Sequence, residues 1–96
     1  MAIVKPTNSI HGAIVVSKWE MLQGDTIPLH DHTTRPLSQH VTIVAKGRVE
    51  IRFPNTGEAL GFIAGDFFDY APEQQSHEIV ALEDSILFNI AKAVVP

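Results

Sequence analysis

Three of the chain's five histidines lie within eleven residues, in the segment HDHTTRPLSQH at positions 30–40. His30 and His32 are two residues apart, and side chains at that spacing project from the same face of an extended strand. Pro28 disfavours a helix at this point, so the two imidazoles can be directed at one metal ion. Imidazole binds Fe, Ni, Cu and Zn, and is a borderline ligand for Mn. The pair therefore indicates a metal chelate, although surface or hydrogen-bonded histidines would show the same spacing.

His40 and His77 are two further candidate ligands, because each begins a predicted strand. If residues 33–38 fold back as a hairpin-like loop, His40 returns beside the pair. His77 lies 37 residues further along, and closure of a barrel would bring it to the same interior point. Local spacing alone does not show whether His77 reaches that point. The fifth histidine, His11, lies outside the cluster, and we expect it to be a surface residue.

The composition limits the function to a few classes. The chain has 96 residues, enough for one domain with a modest core. Its net charge is -4 and its seven Lys and Arg residues are scattered, which argues against a nucleic-acid partner. It contains no cysteine, so disulfides and thiolate metal sites are excluded. The apolar runs are too short for a membrane span and the N-terminus lacks a signal-peptide segment, so we expect a cytoplasmic location.

Strands are the elements predicted to position the histidines. In RVEIRF (48–53), three apolar residues alternate with three charged ones, which is typical of a strand with one buried and one solvated face. Similar short apolar runs, separated by turn residues, occur at 13–22, 40–45, 62–70, 77–82 and 86–95. Seven to nine such strands predict an all-β sandwich or small barrel. We expect residues 1–12 to form an N-terminal arm and residues 13–96 a single domain.

The segment GDTIPLHDH resembles the first motif of the cupin superfamily, a glycine followed by five residues and then His-x-His. The match falls on Gly24, His30 and His32. In cupins a glutamate follows, with six residues between it and a hairpin glycine. With Gly47 as that glycine, His40 stands at the glutamate position.

A second cupin-like motif follows in the expected order. Its Gly-Asp turn, proline and histidine match Gly65, Asp66, Pro72 and His77. The resemblance covers roughly residues 13–92. It departs from the usual pattern in the histidine that replaces glutamate, in a longer loop before that histidine, and in the missing glycine and asparagine of the second motif.

The resemblance implies a fold and a metal site. The fold is a cupin-type double-stranded β-helix, a small jelly-roll barrel. One divalent transition metal ion (Fe, Mn, Ni, Cu or Zn) would be held by four histidines, namely His30, His32, His40 and His77. Four neutral imidazoles leave the ion its full positive charge, which makes it a stronger Lewis acid than one with a carboxylate ligand. In an octahedral ion, two coordination positions would stay open.

Three functions are consistent with such a site. We expect a metal-dependent oxidoreductase of the dioxygenase type, acting on a small organic molecule. The alternatives are a non-redox isomerase or lyase on a sugar acid or similar anion, and a cupin that binds a small ligand without catalysis. Tyr70, Asp69 and Arg35 are the candidate acid-base or substrate-binding residues.

The alternation of side chains predicts what else faces the interior. If His40 points inward, Thr42 and Val44 do so too, and Ile79 and Ala81 follow His77 in the same way. Trp19, Met21, Phe53 and Phe88 are expected to fill the barrel. Apolar strand faces that need cover, such as those of Val41 and Ile43, predict a homodimer.

Overall fold

Strands form all the regular structure that the computed structural model describes, which comprises residues 4–31, 37–69 and 76–93. Only the backbone is described at 29–31, 37–40, 76 and 93. The nine strands are β1 (Thr7–His11), β2 (Ile14–Met21), β3 (Thr26–Asp31), β4 (Leu37–Lys46), β5 (Arg48–Phe53), β6 (Glu58–Ile63), β7 (Phe67–Asp69), β8 (Ser76–Ala81) and β9 (Ser85–Ala93). The predicted all-β class is confirmed. In these residues no helix is long and apolar enough to cross a membrane.

Two antiparallel sheets make up the fold. One has five strands in the order β1-β2-β9-β4-β7, and the other has four in the order β3-β8-β5-β6. The core lies between them, with Val44 and Leu87 from the first sheet and Val49, Ile51 and Ile79 from the second all buried. Each strand contributes alternate residues, because side chains of a strand point in turn to its two faces. The strand β1 lies within residues 1–12 and pairs along its length with β2.

Two Gly-Asp turns with the same bonding pattern hold the ends of the strands. In the first, the Leu22 backbone N–H donates to Asp25 Oδ2 at 2.9 Å, and the Asp25 N–H donates back to the Leu22 carbonyl at 2.9 Å. In the second, Ile63 and Asp66 exchange the same two bonds at 2.9 and 3.0 Å. A glycine with positive φ precedes each aspartate, at positions 24 and 65. Both turns therefore need the glycine and the aspartate of the sequence motifs.

Gly47 lies where the chain passes from the five-stranded to the four-stranded sheet. Its φ is 85°, which L side chains rarely adopt. A Cβ at this position would collide with Ser85 Oγ and with the Asp84 carbonyl oxygen, and would lie 2.8 Å from Ser85 Cα. The buried Ser85 hydroxyl accepts a bond from the Arg48 N–H at 3.1 Å and donates to the Glu83 carbonyl at 2.7 Å. This close approach leaves no room for a side chain.

The expected inward position of Phe88 is wrong. Leu87 is the fully buried residue at this point of β9, and Phe88 is partly exposed on the opposite face. Its register partners are Ile43 and Lys18, which also belong to the outer face. Met21 and Phe53 are buried in the core as expected, and Trp19 packs against it.

We predict that Gly47→Ala destabilises the protein far more than Gly57→Ala. Both glycines have positive φ, but a Cβ on Gly57 meets no atom within 4 Å. Gly57→Ala should cost about 1 kcal/mol of unfolding free energy from backbone strain. Gly47→Ala should cost about 3 kcal/mol or more, because overpacking adds to the strain. Urea denaturation followed by circular dichroism measures both, and equal losses would contradict the close packing at Gly47.

Candidate metal centre

His77 is the predicted ligand whose side chain the structure describes, and it lies in the interior. Its relative exposure is 0%, on β8 between the two sheets. The imidazole meets the Phe53 ring edge to face, with centroids 6.1 Å apart and an interplanar angle of 69°. Ile79 and Ala81 are buried on the same face of the strand, as the alternation predicted. Glu78 lies on the other face, with its Oε1 3.8 Å from Nη1 of Arg52.

The backbone register places position 30 directly opposite His77. In the pair of β3 and β8, Ile27 is opposite Ile79 and His30 is opposite His77. Three residues of β3 therefore advance against two of β8, so one extra residue is accommodated between Ile27 and His30. Without this bulge, position 29 would lie opposite His77. Directly opposed residues of an antiparallel pair share a sheet face, so position 30 lies on the interior face.

Pro28 lies within this bulge and suits it. A proline has no backbone N–H to give to a sheet ladder, so it is found in strands at edges and bulges. Bulges also change the face that the following residues occupy, and they are over-represented beside functional sites. The sequence PLH thus combines a residue that favours the irregularity with the histidine whose position depends on it.

Position 40 lies on the interior face of the other sheet. It pairs with Ala91, which is buried, and it precedes Thr42 by two residues of regular register. Thr42 is 1% exposed and Val44 is also buried, so both lie inward as expected. The backbone therefore brings positions 30 and 40, together with His77, to the interior.

For several predicted site residues the structure describes only the backbone, or nothing. His32, Arg35 and Tyr70 lie outside the described residues, and His30 and His40 are described by their backbone alone. Asp69 is exposed at the end of β7, paired with Val41 on the outer face of its sheet. In the part of the chain with described side chains, no three His, Cys, Asp or Glu residues come together. The four-histidine ligand set stays a prediction.

A polar row crosses the interior face of the five-stranded sheet and was missed in the sequence. Ser17 pairs with Asn89, and Asn89 pairs with Thr42. The Thr42 hydroxyl donates to Asn89 Oδ1 at 2.6 Å, and the Ser17 hydroxyl donates to Asn8 Oδ1 at 2.7 Å. The row lies next to the one that contains position 40 and Ala91. The sequence held one sign of this row, because the polar Asn89 is two residues from Leu87 and therefore lies on the same face of β9.

The Thr42 bond orients the Asn89 amide. Because the Oδ1 atom accepts from Thr42, the Nδ2 atom is directed away from it and can donate. Within the described residues, Thr42 is the one hydrogen-bond partner found for the Asn89 side chain. This arrangement offers an N–H donor beside the interior face on which position 40 lies.

The two antiparallel sheets and their strand order define a protein with the cupin fold. No protein-family model matches the sequence, and no curated protein matches it. Solved structures match closely in shape. An RmlC-like cupin protein from Desulfovibrio desulfuricans has a TM-score of 0.78 and 14% identity, and the match covers 96% of this chain and 84% of that one.

Two further solved structures match over most of their length. A protein with a double-stranded β-helix domain from Klebsiella pneumoniae has a TM-score of 0.76 and 22% identity, with 94% of this chain and 76% of that one covered. KdgF from a Halomonas species has a TM-score of 0.76 and 22% identity, with 96% and 82% covered. The similarity in shape establishes the fold alone, and the predicted cupin-type double-stranded β-helix is confirmed.

We predict that a transition metal ion stabilises this protein through His77. Adding Co(II) or Zn(II) to the metal-free chain should raise its melting temperature, because an ion that binds only the folded state shifts the equilibrium toward it. His77→Gln should abolish this increase, whereas His11→Gln should retain it. His11 is the matched control, since it lies exposed on β1 with its Nε2 2.7 Å from Ser9 Oγ. An equal metal-induced increase in both variants would contradict a role for His77.

Proposed function

We propose that this chain is a small metal-dependent enzyme of the dioxygenase type that acts on a small organic molecule. One observation carries the proposal: the β3 bulge sets position 30 opposite the buried His77, while position 40 lies on the interior face of the facing sheet. His30, His32, His40 and His77 would hold one divalent ion, and Fe or Mn is the choice that suits oxygen chemistry. The ion, when bound, would act as a Lewis acid with two open positions for substrate and oxygen.

The interior side chains suit the binding of a small molecule that carries oxygen atoms. Val44, Leu87 and Ile79 are buried in the core on the same faces as Thr42, Asn89 and His77, and would exclude water from the site. The Asn89 amide provides a donor for a carbonyl, carboxylate or hydroxyl oxygen, and Thr42 holds that amide in one orientation. These residues would bind and orient the substrate beside the histidines.

A second candidate function is favoured by one observation on the polar groups. Among the described residues, the buried polar side chains are Asp25, Thr42, His77 and Ser85. The Asp25 carboxylate is engaged by the backbone of its own turn, and Ser85 by the backbone beside Gly47. Apart from His77, which is a proposed metal ligand, the described interior residues therefore include no free general acid or base. A cupin that binds a small ligand without catalysis is therefore the alternative.

The test of the proposed function is the reaction of the Fe(II)-loaded protein with nitric oxide, a probe of the positions that oxygen would take. We expect a new absorption band and a high-spin electron paramagnetic resonance signal, present in the wild type and in His11→Gln and absent in His77→Gln. Both signals should appear at close to one ion per chain.

Two results would contradict the proposal. If the loaded protein does not respond to nitric oxide, the ion lacks an open position and the dioxygenase assignment fails. If activity on a substrate persists without oxygen and with Zn or Ni in place of Fe, the protein is a non-redox isomerase or lyase.

We predict that Asn89→Leu weakens binding of a small dicarboxylate and leaves metal binding intact. The probe is oxalate, titrated into the Co(II)-loaded protein and followed by the visible absorption of cobalt. Loss of one hydrogen bond should reduce the oxalate affinity roughly fivefold. Asn55→Leu is the control, since Asn55 is exposed in the turn after β5. Unchanged oxalate binding in Asn89→Leu would show that the polar row does not contact the ligand.

A further inference from the structure

Trp19 carries a buried polar atom that has no hydrogen-bond partner among the described residues, its indole nitrogen Nε1. The side chain is partly buried and packs against the core. It lies on the interior face of β2, because it is opposite the fully buried Leu87 and two residues from the buried Met21. An indole N–H donates one hydrogen bond and cannot accept one, and a buried donor of this kind is normally paired. The unpaired N–H therefore indicates an acceptor that the described residues do not supply.

The polar side chains in the next row of this face are already bonded to one another. Ser17 donates to Asn8 Oδ1 at 2.7 Å, and Thr42 donates to Asn89 Oδ1 at 2.6 Å. Each amide oxygen of the row thus already accepts a bond from a hydroxyl group. Trp19 is also absent from the described ring contacts, which join Phe53, Phe62, Phe68 and His77. Two N–H donors on the interior face, Trp19 Nε1 and Asn89 Nδ2, are therefore left for a ligand.

The register places Trp19 on the far side of the polar row from position 40. Along β9 the interior residues Ala91, Asn89 and Leu87 pair with positions 40, 42 and 44 of β4, and with positions 15, 17 and 19 of β2. Because strand residues advance by about 3.4 Å, the row of Trp19 lies roughly 14 Å from the row of position 40, with the Asn89 row halfway between. Trp19 and Asn89 are diagonal neighbours, a relation that separates residues by about 7–8 Å. A small molecule bound beside position 40 can therefore reach both donors with its remote end.

We propose that Trp19 is a specificity-determining residue, and that its indole N–H donates to a neutral oxygen acceptor at the end of the ligand remote from the histidines. Such an acceptor is the carbonyl oxygen of a ketone, an ester or an amide. The proposal rests on the part of the proposed function that binds a small molecule in the interior, and it depends neither on the metal nor on catalysis. It narrows the ligand to an apolar skeleton that carries a carbonyl group.

The distribution of charge favours a neutral acceptor over a carboxylate at this end. Among the described residues no lysine or arginine is buried, and Lys18 on β2 and Lys92 on β9 lie on the outer face of the sheet. A carboxylate beside Trp19 would therefore lack a counter-charge, and an unpaired buried charge is costly. A carbonyl oxygen needs only the hydrogen bonds that the two N–H groups offer.

The test is the NMR signal of the indole N–H, which is a single cross-peak because the chain has one tryptophan. The probe is cyclopentanone, titrated into the metal-free protein so that the result does not depend on the proposed ion. Cyclopentane and cyclopentanecarboxylate are the matched probes, since the first lacks an acceptor and the second carries a charge. We expect cyclopentanone to move the indole proton downfield, because accepting its hydrogen bond deshields that proton. The two matched probes should not move it downfield.

Trp19→Phe separates the hydrogen bond from packing, because it removes the N–H and keeps an aromatic ring. The backbone N–H signal of Leu87, which is opposite Trp19, then reports binding. The affinity for cyclopentanone should fall roughly fivefold, and the affinity for cyclopentane should stay unchanged. Phe88→Leu is the control, since Phe88 lies on the outer face of the same sheet, and it should leave both affinities unchanged.

Three results would overturn the proposal. An indole signal that cyclopentanone does not move downfield would show that Trp19 does not donate to a carbonyl group. Equal losses of affinity for cyclopentanone and cyclopentane in Trp19→Phe would show that Trp19 only fills space. A downfield shift with cyclopentanecarboxylate as large as that with cyclopentanone would contradict the assigned ligand class. A downfield shift with cyclopentanone alone would support the role of Trp19 even if the nitric oxide test rejects the dioxygenase function.

Discussion

The candidate site depends on one irregularity in one strand pair. Between Ile27 and His30, β3 accommodates an extra residue against β8. A shift of one residue exchanges the two faces of a strand, so this bulge decides whether His30 or its neighbour lies across from His77. His77 lies in the interior that this register defines, with none of its surface exposed and among buried apolar side chains.

Two turns that require particular residues fix the ends of the strands around this pair. The Gly24-Asp25 and Gly65-Asp66 turns have the same pattern of bonds, although each lies at a different sheet. In both, the aspartate N–H and carboxylate bond with the residue three positions earlier. The glycine N–H reaches a strand, with Gly24 donating to Ala81 at 2.9 Å and Gly65 to Val44 at 2.8 Å. The two turns thus connect the loop ends directly to the strands that carry the interior residues.

Much of the fold was predictable from the sequence, because a strand has a period of two residues. That period correctly placed Thr42 and Val44 in the interior, and Ile79 and Ala81 beside His77. It failed for Phe88, because β9 is apolar on both faces and its polar residue Asn89 lies on the inward one. The bulge at Pro28 was not predictable, since pairing between distant segments sets it. The outer face of the five-stranded sheet shows the same limit, because its apolar residues come from four strands that only the fold brings together.

X-ray absorption on the protein loaded with one Fe(II) ion per chain tests directly whether the histidines hold the ion, because imidazole rings give a distinctive scattering pattern. We expect a first shell of nitrogen and oxygen atoms, with scattering from the rings of His30, His32, His40 and His77. Fe(II) added to His77→Gln should show no scattering from imidazole rings, because that variant should not hold the ion. A shell without imidazole, or one that the substitution leaves unchanged, would show that the histidines do not form a metal site.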